Sequence, residues 1–134
     1  MLTLLSTRRY KMARTIDSRP YVFSFNSFAT GHHIYKKNWS PVLGETLYCE
    51  CEPRNEHDRF AVALRKDGEI VGHVPRTISK ACFYTLLAGG TIYAVVNGAR
   101  QNTRQNGLEV PMIYNVKGPR EYTLKSETYI VLRG

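Results

Sequence analysis

Apolar and polar positions alternate along this chain in short segments, with the period of two that places one face of a strand in a core and the other in water. YVFSF at 21–25 alternates and is rich in aromatic and β-branched side chains, which predicts a strand. ETLYCECE at 45–52 alternates more clearly: Leu47, Cys49 and Cys51 share a face expected to point inward, and Thr46, Tyr48, Glu50 and Glu52 share the other. PRNEHD at 53–58 has loop chemistry and leads into FAVAL at 60–64, a compact strand. Asp67-Gly68 between two apolar runs predicts a hairpin, whose return strand is 70–74.

The period then changes. Pro75 suits the first turn of a helix, and Ile78, Ala81, Cys82, Leu86 and Leu87 recur at helical spacing until Gly89-Gly90 ends the run, so a helix is expected over 76–88. TIYAVV at 91–96 reads as a strand, NGARQNTRQNG at 97–107 as a polar loop, and LEVPMIY at 108–114 as a last core strand that Pro111 assigns to an edge or a bulge. The tail contains YIVL at 129–132, which predicts either an added edge strand or a free end. About six short strands with one or two helices favour a small, mainly β barrel. Its expected interior is Leu47, Cys49, Val62, Leu64, Val71, Val95 and Val110, with the 76–88 helix packed against it. The resulting division is a basic arm at 1–20, one domain at 21–118 and a tail at 119–134.

The totals fit one domain: 134 residues, 43% hydrophobic and 22% charged. Charge adds a direction. Nineteen Lys and Arg against eleven Asp and Glu give +8, so the surface carries a positive field suited to polyanions. Three cysteines, Cys49, Cys51 and Cys82, form no disulfide framework and favour a reducing, intracellular setting. No run approaches the roughly 20 apolar residues that span a bilayer, so no membrane association is expected. The basic balance of the first residues also occurs in mitochondrial leaders, but a basic arm is the expectation.

Metal and catalytic chemistry find little support. Cys49-x-Cys51 faces one way on a strand and reads as a pair of small core residues, and the adjacent His32-His33 diverge if extended. No nucleophile elbow, phosphate-binding loop or paired carboxylates occur, and His57-Asp58 are neighbours that seldom aim at one atom. The expectation is a domain without enzymatic activity, metal or cofactor. HHIYKKNW, by contrast, interleaves Tyr35, Lys36, Lys37 and Trp39, which supplies rings for bases and cations for phosphates within one stretch. The alternative is that Tyr35 and Trp39 belong to the core and the lysines are solvated.

EPRNEHDRFAVALRKDGEIVGHVPRTISKACFYTLLAGG at 52–90 resembles a HIRAN domain. The matching pieces are Glu52-Pro53, Asn55, Asp58, the 61–64 strand, Asp67-Gly68, Val71-Gly72-His73 and Arg76, with looser likeness through Gly44-Glu45, HHIYKKNW and GLEVP. The resemblance implies an OB-like barrel that binds single-stranded DNA near a 3′-hydroxyl end, in a DNA repair or replication-fork context, with helicase or nuclease partner proteins and a nuclear location. It assigns Asp58 and His73 to the strand terminus and Arg76, with Lys36, to phosphates; Arg100 or Arg104 are further candidates. Tyr35, Trp39 and His57 are then the stacking side chains. Two positions depart from the pattern: His57 replaces an aromatic residue and Leu108 a phenylalanine, while the segment around His33, Ile34, Tyr35 and Lys36 aligns only across an insertion. Asp58 has a structural alternative, capping its loop through a backbone N–H. The competing function is a protein-interaction adaptor on the same fold, or an accessory part of a nuclease or helicase.

Overall fold

Asp67 (φ 51°) and Gly68 (φ 83°) both adopt left-handed backbone, as a two-residue hairpin turn of the primed type requires. They join β3 (Val62–Lys66) to β4 (Glu69–His73) in a computed structural model that describes residues 17–31, 34, 39–104 and 107–133. Pairing runs Lys66↔Glu69 and Arg65↔Ile70, then slips to Leu64↔Gly72 and Ala63↔His73, so β4 carries one extra residue at Val71. Such a bulge bends and twists its strand.

The remaining strands are β1 (Tyr21–Ala29), β2 (Thr46–Cys51), β5 (Thr91–Val96), β6 (Gln101–Thr103) and β7 (Gly107–Gly118). All pairings are antiparallel, in the order β1-β7-β5-β2-β3-β4, with β6 attached to β7. The two ends of this sheet meet where Thr30, just past β1, bridges His73 at the end of β4. Closure through that bridge yields the small barrel expected from the strand spacing. Gly72 permits the approach, because a Cβ there would stand 3.1 Å from the Thr30 carbonyl oxygen.

The interior contains Leu47, Val62, Leu64, Val71 and Val110 as expected, while Cys49 is partly buried at its edge. Val95 is a correction. Leu47 pairs with Ala94, and that register turns Ile92, Ala94 and Val96 inward and leaves Val95 half-buried. Pro111 sits at neither the edge nor the bulge expected: β7 runs through the middle of the sheet between β1 and β5, and its register with β1 is unbroken through Phe28↔Pro111. The proline falls between Met112, the last residue paired with β5, and Glu109, paired with β6, so it marks a change of partner.

Helix α1 (Arg76–Leu87) agrees with the periodicity and buries Ile78, Cys82 and Phe83 against the barrel. The tail forms neither an edge strand nor a free end: Arg120–Arg133 is a second helix, α2, beside α1 and β1. Its inner face is Thr123, Ser126 and Ile130, spaced three and four apart but two-thirds hydroxylic, so the apolar signal of a packed helix is weak. Ser126 and Thr85 share a hydrogen bond of 2.6 Å across the helix pair, and Tyr21 donates to Glu127 at 2.7 Å. No helix among the described residues is long and apolar enough to cross a membrane.

Candidate functional site

Beyond β2 the chain must cross from one strand to the next while satisfying the backbone groups of a ten-residue excursion, and side chains perform this. Asn55 Oδ1 accepts from the N–H groups of His57 (2.9 Å) and Asp58 (3.1 Å), and Asp58 Oδ1 accepts from Phe60 N–H (2.9 Å). The backbone adds Glu52 N–H to Ala61 and Ala61 N–H to Asp58. Asp58 therefore caps its loop, as the structural alternative holds. Its second oxygen is turned toward α1, 3.5 Å from Ser79 Oγ and 4.0 Å from Arg76 Nε.

Arg76, in the first turn of α1, reaches back and donates to the His57 carbonyl at 2.7 Å, while its side chain remains 72% exposed. This contact ties the loop to the helix. Among the described residues no side chain caps the α1 N-terminus and its first turn contains no acid, so the positive end of the helix dipole adds to the Arg76 charge. The His73 ring meets the Glu52 carboxylate through Nε2, and Asn55 Nδ2 donates to the same carboxylate at 3.4 Å. Glu52 thereby orients both the histidine and the loop.

A cleft of about 450 Å³ is lined by His57, Asp58, His73 and Arg76 together with Thr30 and Ile34. Four of the seven expected site residues thus converge. Tyr35 and Lys36 lie outside the described residues. Trp39 is a correction: it is 2% exposed in the core, where its indole N–H donates to Glu45 Oε1 at 2.9 Å, so no ring face is open to a base. Arg100 and Arg104 are exposed but do not line the cleft, and Leu108 is half-buried in β7.

The work of Asn55, Glu52 and Ser79 as supports was not read from the sequence. Besides its place in the HIRAN resemblance, an Asn followed by a backbone turn is the signal available for Asn55. Phe60, expected within a strand, lies just before β3, and its ring stands at the edge of the site with Arg59 at 4.8 Å and Lys80 at 5.0 Å from its centroid. Burial, and then the Cys51 thiol, raise the Cys82 pKa to about 12, and burial likewise pushes Cys49 and Cys51 up, so these thiols remain protonated at neutral pH. Among the described residues no three His, Cys, Asp or Glu side chains stand together in a way that holds a metal ion.

A family model described as the HIRAN domain matches residues 22–114, most of the chain, and the protein belongs to the HIRAN domain family. The structure is similar to the crystal structure of the HIRAN domain of human HLTF, with a TM-score of 0.66 and 20% identity over 87% of this chain and 93% of that one. It is also similar to the NMR structure of the HLTF HIRAN domain in its DNA-bound conformation (TM-score 0.61, 21% identity, 91% of this chain and 96% of that one). A protein from Lactobacillus plantarum shares the fold at 13% identity and a TM-score of 0.52, over 73% of this chain and 98% of that one. No curated protein sequence matches the chain.

Proposed function

We propose that this domain binds nucleic acid and that its cleft receives the 3′-hydroxyl end of single-stranded DNA. The observation that carries the reading is the convergence of Asp58, His57, His73 and Arg76 on one cleft at the start of α1. Family membership supports it, since a HIRAN domain of similar fold is known in a DNA-bound conformation. In this reading Arg76 and the helix terminus hold a phosphate at the rim and the exposed His57 ring stacks on a base. Within the cleft, Asp58 makes a second anion unwelcome but leaves acceptor capacity for a hydroxyl, since a carboxylate offers about four lone-pair sites. A role in DNA repair or at replication forks, in the nucleus and alongside helicase or nuclease partners, rests on the family resemblance.

The test uses one oligonucleotide ending in either a 3′-hydroxyl or a 3′-phosphate, titrated against the wild-type protein and Asp58→Asn. The hydroxyl end should bind more tightly to the wild type. Asn retains the shape and an acceptor but removes the charge, so the gap should narrow in the variant. Equal wild-type affinities for the two ends would refute end recognition and leave a general strand binder.

A further inference from the structure

The cleft does not end at Arg76. A second groove, shared through His57, Asp58 and Arg76, continues along α1 past Phe60, Ser79 and Lys80 to Tyr129 of α2. Lys80 and Tyr129 also line a third depression of about 250 Å³ between the helices, where Tyr84, Tyr122 and Lys125 join them. Tyr84 and Tyr122 then border a fourth that reaches Leu87. The four depressions are consecutive, each sharing residues with the next.

Helix geometry explains the alignment. Arg76, Lys80 and Tyr84 follow one another at intervals of four and so stand in a row, and Tyr122, Lys125 and Tyr129 form the facing row on α2. Tyr84 is 48% exposed and Tyr122 58%, amounts of aromatic surface that a closed helix pair would bury. The Phe60 ring lies 5.7 Å from that of Tyr84 with the Lys80 ammonium 5.0 Å above it, so ring and cation alternate along the path. Of the neighbouring acids, Glu121 is 3.9 Å from Lys125, Glu127 is turned to Tyr21, and Asp58 belongs to the cleft.

We infer that the groove between α1 and α2 is a track for the single strand leading away from the cleft, with bases stacked on Tyr84 and Tyr122 and phosphates against Arg76, Lys80 and Lys125. This inference rests on the proposed function and extends it to a part of the chain, α2, that lies beyond the family match at 114. Interleaved rings and cations are what a strand requires, because every base has a face to stack and every link carries a charge. From Arg76 to Tyr84 the helix rises about 12 Å, the length of about three stacked nucleotides.

Oligothymidylates of about 3, 6, 9 and 12 nucleotides with a free 3′-hydroxyl test the track in the full chain. Wild-type affinity should rise about tenfold or more between the two shortest lengths, well beyond the increase in the number of binding registers. The double variant Tyr84→Ala/Tyr122→Ala should bind the shortest strand as the wild type does and lose that rise, with unfolding temperature as the check on folding. Tyr84→Phe/Tyr122→Phe, which retains both rings, should keep the rise. A wild type that binds all lengths equally overturns the track while leaving the cleft intact, and so does an alanine variant that retains the rise. Failure to bind at any length overturns both readings.

Discussion

His73 and Thr30 exchange both backbone hydrogen bonds, N–H to carbonyl at 3.0 Å and 2.8 Å, and so close the barrel with the same residue whose imidazole faces the cleft. Main chain and side chain therefore serve separate ends. His73→Ala should weaken binding of an end-bearing strand while costing less than about 1 kcal/mol of stability, because Glu52 is partly exposed and can be hydrated instead. Gly72→Val, in contrast, presses a branched side chain against the Thr30 carbonyl and should cost about 1–3 kcal/mol. Urea unfolding of both variants, paired with a binding titration, separates the two roles.

Trp39→Ala should destabilise the domain by about 3–5 kcal/mol, the usual cost of deleting a large buried aromatic side chain. Trp39→Phe retains most of the volume but removes the donor to Glu45 and should cost less. Denaturant unfolding measures both. If the alanine variant folded with unchanged stability and lost only affinity, Trp39 would return to the binding face.

Stability should fall in acid in part through Glu45. Burial pushes its pKa up, but hydrogen bonds from Lys66, Trp39 and the Val42 N–H outweigh that and hold it below the ordinary 4.5. A carboxyl depressed on folding contributes stability that is fully present above its unfolded pKa and is lost as pH falls through its folded value. Unfolding free energies measured from about pH 6 down to about pH 3 should therefore drop more in the wild type than in Glu45→Gln. Parallel acid limbs for the two proteins would show that Glu45 is not responsible.

Arg76→Ala should weaken binding to all single strands about equally and reduce the logarithmic salt slope by about 1, since a phosphate contact reads no sequence. It also removes the donor to the His57 carbonyl, so Arg76→Lys, which restores charge without that reach, should recover the salt slope but not the full affinity. Fluorescence anisotropy at several salt concentrations provides both readings.

Much of this arrangement is legible in the residues themselves. Asp67-Gly68 announces its hairpin because few dipeptides tolerate two left-handed residues, and Leu47 and Cys49 reveal the inner face of β2 because strands alternate strictly. The helix beginning at Arg76 is visible for the same reason of period. What escapes is what a distant partner decides. Val95 loses its inward place to a register fixed by Leu47 and Ala94, and Trp39 is drawn into the core by Glu45, although its neighbours in sequence are lysines and an asparagine. Helix α2 is hidden because its packed face is largely hydroxyl, and YIVL, strand-like in composition, leaves Val131 and Leu132 in water. Within the site, Asp58 and Arg76 are visible as charges, but the Asn55 bonds that hold the His57–Asp58 turn depend on a geometry that composition does not specify.

Six strands form a hoop whose every other joint is a ladder of several residue pairs, and it is fastened at Thr30–His73 by a clasp of two backbone hydrogen bonds and one from the Thr30 hydroxyl to the His73 carbonyl. The clasp lies in the wall of the cleft, which Thr30 and His73 line together, so an occupant that touches both spans the joint. Occupancy then works as a rivet, and the free energy of binding adds to that of keeping the ring shut. Amide exchange at Thr30 and His73 should slow when the cleft is filled, which makes the seam a built-in reporter of whatever the domain holds.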